Sequence, residues 1–140
     1  KPVQAVRVAE VRVRAGAQID AIQMVYALAD GRLSEGARHG GPGGREYIFA
    51  LDYGEYITGI SGRYGDTIDS LRIHTNMRSS PLYGGSGGDH DFRVDVPSGN
   101  QATALTGRAG TILNAVGLTY GGAPAREIPG GRPRRIPGVQ

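Results

Sequence analysis

Short runs in which apolar and polar residues alternate occupy most of the chain. Apolar side chains recur at every second position, as in Val11 and Val13 or Leu71 and Ile73. A period of two is typical of strands with one buried face. Clusters rich in glycine, proline, asparagine and aspartate separate the runs. The pattern therefore predicts many short strands joined by turns, and it predicts no helix.

The alternation changes phase once near the start of the chain. Val8 and Val11 are three positions apart, although the residues on each side of them follow the two-residue period. An extra residue in one strand of an antiparallel pair has this effect. We therefore expect a bulge or a bend at Ala9 and Glu10.

One segment occurs three times without a gap. It begins at Arg14, Arg63 and Arg108 and reads RAGAQIDAIQM, RYGDTIDSLRI and RAGTILNAVGL. A second element, GGPGG at 40–44 and GGSGG at 84–88, follows the first two copies. Repeats of about 45 residues with several strands each indicate units that bury their apolar faces against one another. The repeat predicts an all-β fold with pseudo-threefold symmetry, such as a prism of three small sheets.

The amino-acid composition excludes several classes of fold and of chemistry. The 24 glycines among 140 residues disfavour a helical bundle, and the absence of cysteine excludes a disulfide framework, a thiol nucleophile and a cysteine-based zinc site. No apolar run approaches the roughly 20 residues that span a bilayer, so we expect no membrane insertion. No secretory signal segment is recognisable at Lys1.

The charge of the chain is concentrated in one segment. The formal net charge of +3 lies entirely in residues 121–140, which are rich in proline, glycine and arginine, whereas residues 1–120 carry equal numbers of acidic and basic side chains. We therefore predict a domain at 1–120 and a C-terminal arm at 121–140. A neutral domain argues against nucleic-acid binding, which needs clustered cations.

Each copy of the repeat places a glycine four residues before a carboxylate or its amide: Gly16 to Asp20, Gly65 to Asp69 and Gly110 to Asn114. Glycine permits a positive φ and a close approach of another molecule to the backbone. Outward N–H groups beside a carboxylate that accepts two hydrogen bonds complement the vicinal hydroxyls of a pyranose. For a single copy, a turn in which the aspartate caps its own backbone is the favoured explanation of the pattern, but three copies with companion glycine-rich loops favour binding.

Other chemistry has weaker support. His39, His74 and His90 could ligate a metal, and Asp89-His90-Asp91 is locally suggestive, but the alternation that follows favours a solvated strand end. No lysine and no helix signal follow the glycine-rich loops, as a phosphate loop requires. No strand-to-helix nucleophile elbow is indicated, because the sequence predicts no helix, and Asp52 and Glu55 have no visible partner for acid-base catalysis. We therefore predict no enzyme activity, no metal and no cofactor.

These segments resemble the jacalin-related lectins. The resemblance rests on HGGPGG at 39–44, GEYITGISGRYG at 54–65, SLRIHTN at 70–76 and GRAGTILNAVGLTY at 107–120, in the family's order, and it covers about residues 6–120. It implies a β-prism I fold and metal-independent binding of mannose-type or galactose-type sugars without catalysis. Griffithsin-like members, which have a near-symmetric triple repeat, are the more similar branch.

The resemblance implies two principal carbohydrate sites, each formed by a turn and a glycine-rich loop. The first comprises Gly16, Ala17, Gln18 and Asp20 with Gly40, Gly41, Gly43 and Gly44, and the second comprises Gly65, Asp66, Thr67 and Asp69 with Gly84, Gly85, Gly87 and Gly88. A weakened third site is expected at Gly110, Thr111, Ile112 and Asn114, because asparagine lacks the carboxylate and residues 1–14 contain no glycine-rich loop. Griffithsin-like members carry an aromatic residue two positions before the aspartate, where this chain has Gln18, Thr67 and Ile112.

The sequence thus predicts a lectin that binds mannose-type or oligomannose glycans, with galactose-type sugars as the other choice. We also expect a homodimer and an extracellular, secreted location. The alternative is a non-enzymatic β-prism that mediates protein interaction or oligomerisation, with vestigial sugar sites and a basic tail that binds an acidic partner.

Overall fold

The computed structural model describes residues 5–124, 127–128 and 132–133, and every regular element within them is a β-strand. The strands are β1 Ala5–Ala15, β2 Ile19–Leu28, β3 Leu33–Gly40, β4 Arg45–Ala50, β5 Ile57–Tyr64, β6 Ile68–Thr75, β7 Tyr83–Gly84, β8 His90–Asp95, β9 Asn100–Ala109, β10 Leu113–Gly122, β11 Glu127–Ile128 and β12 Arg132–Pro133. The predicted all-β class is confirmed. No helix long and apolar enough to cross a membrane occurs in this part of the chain.

The first two repeat units form sheets of the same topology. The strand order is β3-β2-β1-β4 in the first sheet and β7-β6-β5-β8 in the second, and all neighbours are antiparallel. In each unit the repeated turn joins the two central strands, and the glycine-rich loop joins the two outer strands. This topology brings the turn and the loop to the same end of each sheet.

The third unit contributes a two-stranded sheet, β10-β9, within the described residues. Its turn also joins two paired strands, as in the other units. Strands β11 and β12 form a separate short ladder. Strand β10 ends at Gly122, and residues 125–126, 129–131 and 134–140 of the predicted arm lie outside the described residues.

All three sheets pack around one apolar core. Buried side chains that share this core include Val13 and Ile22 from the first sheet, Ile60 and Leu71 from the second, and Leu113 from the third. Three sheets around a common core form the predicted prism, because each sheet has only one apolar face to bury.

The predicted change of phase in the first strand is confirmed. The register between β1 and β2 shifts between Val8 and Glu10, and Val8 and Val11 are both buried. The shift restores the inward direction of the apolar side chains on either side of it.

Candidate functional site

The first candidate site forms where the turn before Asp20 meets the loop between β3 and β4. The amide of Gly41 donates a hydrogen bond of 3.0 Å to the backbone carbonyl of Asp20. A Cβ added to Gly43 would lie 2.9 Å from Oδ1 of Asp20, and one added to Gly44 would lie 2.5 Å from Oδ2. The carboxylate is therefore packed directly against the last two glycines of the loop.

The second candidate site repeats this arrangement. The amide of Gly85 donates a hydrogen bond of 2.9 Å to the carbonyl of Asp69. An added Cβ would lie 3.0 Å from Oδ1 of Asp69 at Gly87 and 3.0 Å from its Oδ2 at Gly88. The structure thus brings each aspartate together with the loop that the sequence paired with it.

The conformational role of the glycines differs from the expectation. Positive φ angles occur in the loops, at Gly40 and Gly44 in the first unit and at Gly84 and Gly88 in the second, whereas the turn glycines Gly16, Gly65 and Gly110 have none. An added Cβ at Gly40 or Gly84 would also collide with the carbonyl oxygen of the paired aspartate. The left-handed backbone is therefore in the loops, which fold over the aspartates, and the turns do not use the positive φ that glycine permits.

Two arginines that the sequence analysis did not select hold the loops in place. In the first unit Arg14 donates from Nε to the carbonyls of Pro42 (3.1 Å) and Gly43 (2.9 Å), and from Nη2 to that of Gly44 (2.8 Å). In the second unit Arg63 donates from Nη2 to the carbonyl of Gly88 at 2.9 Å. Both are the first residue of a repeat copy, so their recurrence in the alignment was the signal that could have found them.

Arg63 is itself held by an ion pair. Its Nη1 lies 2.6 Å from Oδ1 of Asp91 at the start of β8. Arg38 adds a hydrogen bond to the carbonyl of Gly41 in the first loop. Guanidinium groups therefore anchor several loop carbonyls, so that the loop backbone is positioned before any ligand arrives.

The third copy lies beside the other two but has a different environment. Nδ2 of Asn114 is 3.5 Å from the carbonyl of Asp66 in the second turn, at the limit of hydrogen-bond distance. Gly41 of the first loop packs against Thr111. No side-chain hydrogen bond of the exposed Arg108 to another described residue is present, although it is equivalent to Arg14 and Arg63 in the repeat.

The three turns gather at one end of the prism. Nε2 of Gln18 donates a hydrogen bond of 2.8 Å to Oγ1 of Thr67, and Gly85 packs against Ala17. Gln18 and Thr67, which occupy the positions two residues before the aspartates, therefore bind each other. Ile112, the third member of this set, is half-buried.

Comparison with known proteins identifies the family. A model described as the jacalin-like lectin domain matches residues 2–119. Horcolin from Hordeum vulgare is 38% identical over 119 residues, which cover 81% of each chain. The chain belongs to the jacalin-like lectin family.

Solved structures of related lectins have the same architecture. The Malaysian banana lectin matches with a TM-score of 0.71 and 30% identity over 83% of each chain. A mannose binding jacalin related lectin from Ananas comosus matches with a TM-score of 0.70 and 28% identity, over 86% of this chain and 85% of that one. The predicted β-prism I fold is confirmed.

Membership also decides between the broad function classes. Jacalin-like lectins are non-enzymatic carbohydrate-binding proteins, so the predictions of a lectin and of no enzyme activity are confirmed. Glu55, for which the sequence showed no partner, has a structural role in this lectin: it is buried and bonded to Arg78 and Thr75.

The histidines of the described residues do not come together in a metal site. His74 bonds through its two ring nitrogens to the hydroxyls of Ser61 and Ser79, both at 2.7 Å, and burial and the charge of Arg93 lower its pKa. His90 packs against the ring of Tyr64. Within the described residues no three histidine or acidic side chains lie close enough to hold a metal ion.

Proposed function

We propose that this lectin binds mannose-type glycans at two sites, one centred on Asp20 and one on Asp69. Each site comprises the turn residues and glycine-rich loop that the sequence selected. The third turn, with Asn114, contributes a weaker site or none, because an amide offers one acceptor oxygen and no charge.

The state of the two carboxylates carries the proposal. Asp20 and Asp69 are half-buried, and no hydrogen bond from another described residue reaches either carboxylate. The structure holds both groups in place against a loop and leaves their acceptor atoms available. A carboxylate in this state favours a ligand that supplies adjacent hydroxyl donors.

Backbone donors complete the complementarity. The described backbone hydrogen bonds use the amides of Gly16 and Gly65 within the turns but not those of Ala17, Gln18, Asp66 or Thr67. A pyranose offers hydroxyl oxygens that accept from such amides while its hydroxyl hydrogens donate to the aspartate. Neutral sugars fit better than anionic ligands, because the carboxylate would repel an anion.

The choice of mannose is supported by a relative. The lectin from Ananas comosus, which is described as mannose binding, has the same fold at 28% identity. Galactose-type sugars are the competing ligands, and a panel containing both monosaccharides separates them.

The test is calorimetric titration of methyl α-mannoside into the Asp20→Asn, Asp69→Asn and double variants. Each single variant should lose one of two binding sites, and the double variant should bind at least tenfold more weakly, since hydrogen bonds to a charged group contribute about 1.5–3 kcal/mol each. Asp30→Asn is the matched control, because Asp30 is an exposed carboxylate whose partner among the described residues is the nearby Arg32.

Unchanged mannoside binding by the double variant would overturn the assignment of the sites. A preference of the wild-type lectin for methyl galactoside would overturn the choice of sugar. The homodimer and the extracellular location stay predictions, and light scattering of the purified lectin tests the first of them.

A further inference from the structure

A pocket lies between the two proposed sites. Its volume is about 240 Å³, and it is lined by Ala15, Gly16, Tyr47, Pro81, Leu82, Tyr83 and Gly84. Gly16 belongs to the turn of the first site and Gly84 to the loop of the second. The pocket is therefore continuous with both sites.

Contacts beside the pocket fix its two sides relative to each other. The bond between Gln18 and Thr67 joins the two turns, and Gly85 of the second loop packs against the backbone of Ala17 in the first turn. A ligand that occupies the pocket therefore meets a site on either side at a fixed separation.

The pocket wall is aromatic and aliphatic. The rings of Tyr47 and Tyr83 pack with centroids 5.4 Å apart and planes tilted by 35°. Tyr83 is buried and fixed, whereas Tyr47 and Leu82 are 37% and 51% exposed. Arg45 lies over the Tyr47 ring, with Cζ 5.5 Å from its centroid, but it does not line the pocket.

We propose that this pocket is a subsite for a second pyranose of the glycan whose first sugar occupies an aspartate site. This inference rests on the proposed function. The lining carries no charged side chain, so it offers nothing that would pair with an ionic ligand. A pyranose has a C–H face that packs on aromatic and aliphatic side chains, while its hydroxyls remain in water.

The subsite gives the lectin a preference for oligosaccharides. A monosaccharide at Asp20 or Asp69 leaves the pocket empty, whereas a branched oligomannose places a neighbouring ring against Tyr47 and Leu82. The turns carry no aromatic residue two positions before the aspartate. The aromatic contact with the sugar comes instead from Tyr47 in β4 and Tyr83 in β7.

The experiment compares methyl α-mannoside with branched mannotriose on the full chain. Tyr47→Ala and, separately, Leu82→Ala should weaken mannotriose binding about threefold to tenfold, the range expected for loss of one aromatic or apolar contact. Both should leave methyl α-mannoside binding unchanged. Leu82→Ala guards against a folding defect, because its side chain is half exposed, and thermal unfolding of each variant checks the fold.

Ile48→Ala is the matched control. Ile48 follows Tyr47 in β4, is 53% exposed, and does not line the pocket. It should bind both sugars as the wild-type lectin does.

Three outcomes would overturn the subsite. The first is equal loss of both sugars in the pocket variants, and the second is no loss of either. Phenyl α-mannoside is titrated in parallel, and the third outcome is a loss confined to this ligand, which would assign the pocket to an aromatic aglycone. Absence of mannoside and mannotriose binding by the wild-type lectin would instead overturn the proposed function, and the subsite with it.

Discussion

Gly16 and Gly44 contribute to the same candidate site, yet their backbones impose different requirements. Gly44 has a φ of +73°, and an added Cβ would lie 2.5 Å from Oδ2 of Asp20 and 2.8 Å from the backbone of Ala15. Gly16 has no positive φ, and nothing would lie within 4 Å of its Cβ. Only the loop residue is restricted to glycine by the lectin's own structure.

Substitution by alanine tests whether the fold requires glycine at position 44 but not at position 16. Gly44→Ala should lower the free energy of unfolding by about 1–3 kcal/mol, because a side chain at positive φ is strained and this one also displaces Asp20. Gly16→Ala should be neutral or stabilising by up to about 1 kcal/mol, since it restricts the unfolded chain. Urea denaturation measures both, and equal destabilisation by the two variants would contradict the assignment.

At the scale of elements, each glycine-rich loop is attached to the strand that precedes the turn. Arg14 lies near the end of β1 and Arg63 near the end of β5, and both bond to carbonyls of the facing loop. Three hydrogen bonds from one guanidinium fix the orientation of the first loop. The strand thus positions the loop, and the loop positions the aspartate.

Removal of Arg14 should loosen the first loop without unfolding the sheet. In an Asp69→Asn background, which leaves the first site alone, Arg14→Ala should weaken mannoside binding about threefold to tenfold, because ordering the loop then opposes binding. Hydrogen exchange at residues 40–44 should become faster.

Arg108→Ala in the same background is the control for Arg14→Ala. Arg108 is the repeat-equivalent residue of the third unit, but it makes no side-chain hydrogen bond to the described residues. It should change neither binding nor exchange in the first loop. If both variants weakened mannoside binding equally, loss of positive charge rather than loop positioning would explain the effect, and no weakening by Arg14→Ala would contradict the role of Arg14.

At the scale of the whole molecule, Glu55 and Arg78 join the first two units. Glu55 is buried and accepts hydrogen bonds from Nε of Arg78 at 2.9 Å and from the hydroxyl of Thr75 at 2.6 Å. Arg78 also donates to the carbonyl of Ala50 at the end of β4 and lies over the ring of Phe49. The pair therefore ties the segments around β6 to the first sheet.

This connection makes stability depend on pH in acid. Burial alone would raise the pKa of Glu55, but the hydrogen bonds from Arg78, Thr75 and the Asp52 amide lower it to about 2. Because the folded-state pKa lies below the unfolded one, the stabilisation is complete above about pH 5 and is lost as the pH falls towards 2. Urea denaturation of the wild-type lectin between pH 2 and 7 should follow this profile.

Glu55→Gln should make the free energy of unfolding depend less on pH in acid, and it should lower that free energy by about 2 kcal/mol at pH 7. This loss is smaller than for a fully buried pair, because the Arg78 side chain is 44% exposed. Glu35→Gln is the control: Glu35 pairs with Arg12 but its side chain is 63% exposed, so the change should be small. An unchanged acid profile in Glu55→Gln would show that other carboxylates control acid unfolding.

The sequence by itself determined the strands, the bulge, the triple repeat and the class of protein. These features depend on local periodicity and on residue types that recur at fixed spacing, and both are visible in one dimension. The pairing of Asp20 and Asp69 with their loops came from the resemblance to the jacalin-related lectins, carried over to motifs in which each loop follows its turn within the same unit.

Tertiary structure alone decided what lies between the units. Tyr47 and Tyr83 come from different sheets, Gln18 and Thr67 from different turns, and no spacing in the sequence predicts that they meet. Glu55 had no visible partner because Arg78 approaches it from a distant turn. The positive φ angles lie in the loops, and not in the turns, because close packing over the aspartates is a property of the folded chain.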